Sequence, residues 1–500
     1  MADRRRLGVQ DALWLEMDRP NNLMVVDSVI WTAEPLDWSR VRQVTEERLS
    51  TRYPVFRSRA VKDRDGSWWW ELDDDFDFGV HVTVVDLKDP DDARELQALV
   101  ASHRTEMLER DRPLWKAIWV NRYRGGSAMI LRTHHAIADG MRMVELAMSL
   151  FDATPEGGQV HGPGVEQHAA RSHPPGQPMA DRVRSGATWA AETARGAGSL
   201  IGETLSDPLG RVTNVAGGVV EATGELPRIL GRATEFARRA LQNPVGAGHT
   251  IITSGWATAS DVAGSVGSTV RAAVPGSGAL VDMFSAAPGD VDTIRKLLLG
   301  TRNDSTIWTG TAGHDKGVAW SEPVSLVGVK AVAKANGCTV NDVLVTSVAG
   351  TLHDYLEAHD ARCSSVTFMV PVNLKPIDLS LPDDLGNEFA LVQLELPTDQ
   401  PDARQVLAVV KRRMDRIKHG HEAGVAFRLQ EAISGLNRDL YEASVDLFTN
   451  RTLGTLTNVP GPPMPVYLAG SKVEAMAGWA PVSGNQPMSF TIYSYDGKVT

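Results

Sequence analysis

His134-His135-Ala136-Ile137-Ala138-Asp139-Gly140 is the stretch that decides how this chain is read, because it joins two different periodicities. Residues 128–133 form a short apolar run that reads as a strand. On the far side Met143, Val144, Ala147, Leu150 and Phe151 recur at helical spacing. The two histidines therefore sit at a strand-to-helix turn, and Asp139 can cap the helix that begins at Gly140. A lone histidine would read as a satisfied core residue. Two in a row, with Asp and Gly at fixed spacing on such a turn, favour chemistry.

The chemistry that suits this turn is proton transfer from a hydroxyl. An alcohol is a poor nucleophile at neutral pH, so its proton must leave as its oxygen attacks. An imidazole of unperturbed pKa about 6.5 is neutral enough to accept that proton. If the leaving group is a thiolate, of pKa near ~8.5, its expulsion needs little acid help. One histidine can thus serve both halves of a transfer. No Gly-Xaa-Ser-Xaa-Gly elbow is present to suggest a serine acyl-enzyme, so direct transfer in a ternary complex is expected. Asp139, four residues on from His135, is assigned a structural role: capping the turn and pairing with an arginine, for which Arg57 and Arg59 are candidates. A metal held by His134, His135 and Asp139 would need further ligands, and adjacent histidines seldom share one coordination sphere. No metal is expected.

Working outward, residues 1–153 mix strands and helices into a first lobe. Residues 22–32 and 76–85 read as strands. Asp37 is placed to cap a helix from Trp38, and residues 90–108 read as a helix with Asp89 as N-cap and Pro90 in first position. Residues 154–309 read as a linker and helical crossover. Pro, Gly and His crowd 154–179, a helical pattern with Arg182, Arg184, Arg228, Arg232, Arg238 and Arg239 follows over 180–240, and small residues dominate 245–288. Residues 310–500 read as a second lobe, with helices over 326–334 and 340–358 and strands over 365–372, 389–396 and 489–495. Asp496-Gly497 is a two-residue hairpin signal that demands a return strand. Only three residues follow, so either the natural C-terminus lies further on or another segment supplies that edge.

Composition bounds the rest. Five hundred residues exceed one simple core, and 42% hydrophobic with 23% charged residues is ordinary for a globular chain. A net charge of −11 argues against wrapping nucleic acid. The two cysteines, Cys338 and Cys363, lack metal-ligand spacing and suit a reducing compartment. Arg4-Arg5-Arg6 is followed by Asp11 and Glu16 with no apolar stretch between, so no secretion signal is read there. No run of ~20 apolar residues suggests a membrane span.

Several further stretches carry a resemblance. They are Asp11-Ala12-Leu13-Trp14, Asp18-Arg19-Pro20-Asn21-Asn22, Pro113-Leu114-Trp115, the HHxxxDG run, Val340-Asn341-Asp342-Val343, Val370-Pro371-Val372-Asn373, Leu385-Gly386-Asn387-Glu388, Thr457-Asn458-Val459-Pro460-Gly461-Pro462 and Ser494-Tyr495-Asp496-Gly497. In this order and over the whole length, the chain resembles the bacterial wax ester synthase/diacylglycerol acyltransferase family. The resemblance implies an α+β fold of mixed sheets with flanking helices: two chloramphenicol-acetyltransferase-like lobes with a tunnel between them. It implies long-chain acyl transfer from acyl-CoA to a fatty alcohol or diacylglycerol, with His135 as base, His134 and Asp139 supporting, and Gly140, Asn341, Asp342 and Asp18 shaping the site. Asn341 and Asp342 match the family's Asn-Asp pair, though Asn341 equally suits a helix cap, and Asp18 falls where relatives often carry Glu. Acyl-CoA is then a substrate and no cofactor is needed. The chain is expected in the cytoplasm, peripherally associated with membrane or lipid droplets. The alternative is a lipid-droplet or membrane-surface binding protein on the same fold with weak or lost catalysis. A condensation-type domain shares HHxxxDG, but no carrier domain is present in this chain.

Overall fold

The structure, a computed structural model, describes residues 4–160, 306–373, 385, 387, 389–419, 423–427 and 451–500. The chain divides into two compact units: Met1–Gly176, Arg302–Gly420 and Thr449–Thr500 form the first, and Gln177–Thr301 with His421–Phe448 the second. Residues 180–240, expected to be helical, and the small-residue stretch 245–288 lie outside the described residues. All that follows concerns the first unit.

Among the described residues its largest sheet has eight strands. In chain order they are β2 (Val25–Thr32), β5 (Val82–Val85), β6 (Trp115–Tyr123), β7 (Gly126–His134), β8 (Asp152–Thr154), β9 (Gly157–Gln159), β14 (Tyr467–Leu468) and β15 (Ser471–Trp479). Their spatial order is β5-β6-β7-β2-β15-β14-β8-β9. Alternation along the central strands assigns each face. Val29, Trp31, Ile118, Val120, Ala128 and Ile130 pack on one side, where Leu96 and Val100 of α3 (Ala93–His103) cover them. Ile30, Ala117, Trp119 and Met129 point to the other, towards α1 (Val9–Met17), α2 (Trp38–Thr45) and α4 (Gly140–Ser149). A sheet buried on both faces explains why β7 reads as a continuous apolar run.

A second sheet, of six strands, runs β10-β17-β16-β13-β11-β12, from β10 (Val324–Ser325), β11 (Ser365–Asn373), β12 (Phe389–Pro397), β13 (Gly454–Pro460), β16 (Met488–Tyr495) and β17 (Lys498–Val499). It mixes parallel pairs, β11 with β13 and β13 with β16, and antiparallel ones. The helices α6 (Val340–Ala358) and α7 (Ala403–His419) pack together and against β12, while α5 (Leu326–Ala335) lies beside β10 and β17. A small sheet, β1-β4-β3, takes the N-terminal arginines as β1 (Arg4–Arg6) beside β4 (Trp68–Leu72) and β3 (Ser58–Lys62).

The expected α+β class of mixed sheets holds, and several expected elements shift for local reasons. α3 starts at Ala93, not Pro90, because Asp92 takes the Arg94 N–H while Asp89 closes its own turn on Asp91. Residues 78–81 form a 3₁₀ turn because Asp77 accepts the Gly79 N–H, so β5 begins only at Val82. Residues 157–159, read as linker, form β9. The Asp496-Gly497 hairpin is present: both residues have positive φ, 44° and 71°, and β17 returns antiparallel to β16. β10 supplies the outer edge. Sheet membership also crosses the sequence: β14 and β15, inside the stretch read as a second lobe, belong to the first lobe's sheet. Tyr495 ties the sheets together, its hydroxyl donating to the Val473 carbonyl at 2.7 Å and accepting the Val466 N–H.

Candidate active site

β7 ends at His134 because the chain turns there, with the Ile137 N–H returning to the His134 carbonyl. The backbone N–H of His134 goes to Leu114 and that of His135 to Met24 at 2.8 Å, so two neighbouring segments hold the turn. Asp139 is buried and accepts the Arg142 N–H at 2.9 Å, which makes it the cap of α4 as expected. The arginines offered as its partners are used elsewhere: Arg59 pairs with Glu71, and Arg57 lies over the Phe76 ring. Gly140 opens α4 with free space around the position a Cβ would take.

His134 is fully buried, and its Nδ1 accepts the Ala136 N–H at 3.1 Å. In the neutral ring the proton is then on Nε2, which faces the Asp18 carboxylate at 3.6 Å, a charge contact too long for a hydrogen bond. Asp18 also accepts the Met24 N–H at 2.7 Å and pairs with Arg110 at 2.8 Å. Burial pushes the Asp18 carboxyl up, but His134, the Met24 N–H and Arg110 outweigh it and hold it below the usual range. Burial lowers His134 against the pull of Asp18. Asp18 thus lies against His134 while bonded to the Met24 N–H and Arg110.

His135 is 6% exposed. Its ring lies 4.1 Å from that of Trp14 and 5.7 Å from that of Phe389. This apolar jacket excludes water, and burial draws the imidazole down to about 4; its own carbonyl and Asn387 favour the charged form, and His134 opposes it. At neutral pH the ring is therefore an uncharged proton acceptor. Its Nδ1 is buried without a hydrogen-bond partner.

Asn387 reaches the turn from the second half of the chain, donating its Nδ2 to the His135 carbonyl at 3.0 Å and to Asp11 Oδ1 at 2.8 Å. Its backbone N–H meets the same Asp11 oxygen at 3.1 Å. Burial pushes the Asp11 carboxyl up to about 6, against the Asn387 hydrogen bonds and the charges of Arg5 and Arg142. Asp11, Trp14, Arg110, Asn387 and Phe389 were not picked out as site residues. Asp11, Trp14 and Asn387 lie in stretches that carried the family resemblance; Arg110 has no sequence signal.

Asn341 and Asp342 stand apart from this arrangement. The cap of α6 is Thr339, not Asn341: Thr339 and Asp342 exchange hydrogen bonds in a capping box, and Asp342 is fully buried in doing so. Asn341 accepts from Asn458 at 2.9 Å. Among the described residues neither makes a hydrogen bond or ion pair to the His134–His135 turn.

His135, buried, and Asp11, half-buried, give opposite stability signatures. An unfolded imidazole titrates near 6.5, so a His135 kept neutral to about 4 costs stability as pH falls through that window. Asp11 titrates near 6 folded and near 3.8 unfolded, so the folded chain binds its proton first and gains stability as pH falls. The two offset each other between about pH 6 and 4. Asp11→Asn removes one of them, so its urea midpoint should fall more steeply than the parent's from pH 6.5 to 4.5. Parallel slopes would show that Asp11 does not titrate in this way.

A neutral, jacketed histidine at a strand-to-helix turn can accept a proton, which is compatible with an acyl-transferring enzyme. Comparison with known proteins agrees. The model of the wax ester synthase/diacylglycerol acyltransferase catalytic domain matches residues 7–255, and that of the family's C-terminal domain matches residues 385–500. A Mycobacterium tuberculosis protein named as a candidate diacylglycerol O-acyltransferase is 27% identical over 514 residues, covering 98% of this chain and 90% of its own. The O-acyltransferase WSD of Acinetobacter baylyi is 22% identical over 469 residues, covering 91% and 81%. The solved wax ester synthase/diacylglycerol acyltransferase of Marinobacter aquaeolei VT8 shares the fold, with a TM-score of 0.57 at 17% identity over 99% of this chain and 92% of that one. The chain belongs to the wax ester synthase/diacylglycerol acyltransferase family and is an acyltransferase.

Proposed function

We propose that the chain transfers a long-chain acyl group from acyl-CoA to a fatty alcohol, forming a wax ester, or to diacylglycerol, forming triacylglycerol. The observation that carries this reading is His135, neutral, jacketed by Trp14 and Phe389, and fixed through both its backbone N–H and its carbonyl. Nε2 takes the hydroxyl proton as the alcohol oxygen bonds to the thioester carbonyl carbon. The tetrahedral oxyanion then collapses, the carbon–sulfur bond breaks, and the sulfur leaves with the proton held on His135. The imidazole is neutral again, and no acyl-enzyme forms. His134 and Asp139 hold the turn rather than exchange protons with substrate. A dry channel between the two lobes is the natural route for two apolar substrates to reach one base. The test is purified protein with palmitoyl-CoA, alone and with hexadecanol or diacylglycerol. Thiol release should depend on an acceptor, and intact-mass measurement without acceptor should show no acyl adduct. A stable palmitoyl adduct would overturn direct transfer.

Apolar substrates place the enzyme at a lipid surface. Among the described residues no helix is long and apolar enough to cross a membrane. Peripheral attachment is the alternative, supported by the arginines between Arg182 and Arg239, since clustered basic residues are drawn to anionic lipid. The protein should float with anionic liposomes at low salt and be released as salt rises. Absence of flotation at low salt removes this attachment.

A further inference from the structure

The charge that His135 takes up in transfer has no carboxylate to meet it. Among the described residues no carboxylate pairs with its ring: Asp11 reaches the turn through the Asn387 amide, and Asp18 faces His134 instead. What lies against the ring is an indole. We propose that Trp14 is a positioning residue whose π face stabilises the His135 imidazolium formed in transfer, in the role that a triad gives to an acid. This rests on the reading of His135 as base and adds the group that lets it carry charge.

The two ring centroids are 4.1 Å apart and the planes 30° from parallel, so the imidazole lies over the indole rather than at its edge. A cation within ~6 Å of an aromatic centroid is drawn to the negative face of the ring, and tryptophan has the strongest such face. Phe389 is the weaker partner, 5.7 Å from the imidazole and tilted by 49°. It also stacks on Trp14, at 6.0 Å and 19°, and so helps fix the indole plane. Trp14 is 9% and His135 6% exposed, so little water screens the contact. That burial disfavours the imidazolium, which keeps the resting ring neutral; once the alcohol has given up its proton, the indole face offsets part of the cost. The indole is placed by the helix that carries it. Asp11, Trp14 and Asp18 follow at i, i+3 and i+7 along α1 and just past its end, a spacing that sets them on one side. Asp11 accepts from Asn387, which holds the His135 carbonyl at 3.0 Å. Asp18 accepts the Met24 N–H, and the Met24 carbonyl holds the His135 N–H at 2.8 Å. One helix thus fixes the backbone of the base through two residues and meets its ring with a third.

Fluorination tests this with little change in shape or burial, since each fluorine on the indole weakens its negative face. Position 14 is replaced in the full-length protein by mono-, di- and trifluorotryptophan. Ester formation is followed in a single turnover with palmitoyl-CoA and either hexadecanol or diacylglycerol. The rate should fall stepwise along the series, to roughly a tenth with the trifluoro derivative, while palmitoyl-CoA affinity changes little. Trp14→Leu keeps apolar bulk and removes the face, so it should lose roughly 30-fold, with Trp14→Phe in between. In the resting protein at pH 4.5, NMR of ring-labelled histidine reads the protonated fraction of His135, its signal identified by loss in His135→Gln. That fraction should fall along the same series. Packing alone would leave rate and protonated fraction level across the fluorinated proteins, and a level series in either overturns the proposal. The NMR reading needs no turnover, so it is separate from failure of the base itself, which would show as undiminished turnover in His135→Ala.

Discussion

Replacement of His135 by alanine is expected to lower ester formation by roughly 10²–10⁴-fold, the usual range for loss of a positioned general base. The fold should survive. Nδ1 of the ring has no hydrogen-bond partner, and the links that hold the turn, His135 N–H to Met24 and Asn387 to the His135 carbonyl, are backbone contacts that alanine retains. What is lost besides the base is packing between Trp14 and Phe389, so melting should fall by a few degrees at most. Thiol release and thermal unfolding on the same preparation separate the two effects. Near-native turnover in a folded His135→Ala protein would remove the histidine from the mechanism.

The second large effect falls on stability. Asp18→Ala leaves the Met24 N–H without its acceptor and Arg110 without its carboxylate, with the Leu15 carbonyl still accepting from it, beside a buried His134. Breaking a buried ion pair from one side is typically worth several kcal/mol, and with Arg110 partly exposed the loss here should be on the order of 3 kcal/mol. Activity should fall with it, because Met24 also holds the His135 N–H. Urea unfolding measures the first and thiol release the second. An unchanged urea midpoint would show that the acid carries no structural load.

What the sequence made legible was local. The HHxxxDG turn is a junction of two periodicities, so the strand end, the Asp139 cap and the start of α4 could all be read from neighbours in the chain. Helix α6 is bounded correctly at 340–358, yet Asn341, which looks like a cap, lies two residues past the real one: Thr339 and Asp342 form the reciprocal pair. Asp89 and Asp92 posed the same choice, settled by which carboxylate reaches the first free N–H of the helix. The partners of His135 were not legible in this way. Asp11 and Asn387 lie 124 and 252 residues from it, and no spacing rule brings a carboxylate to an amide across that distance. The same holds for β15, whose pairing with β2 joins the end of the chain to its beginning. Such contacts show in one sequence only as short stretches a family shares, and those mark position without saying what touches what.

The account turns on one claim, that this protein forms an ester from acyl-CoA and an alcohol through His135. The most direct measurement gives purified parent protein and His135→Ala palmitoyl-CoA with hexadecanol or diacylglycerol, and quantifies free thiol and lipid ester in the same reaction. The account predicts ester and thiol in equal amounts from the parent with at least one acceptor, and neither above background from the variant. Thiol without ester, or no product from a folded parent with either acceptor, would contradict it.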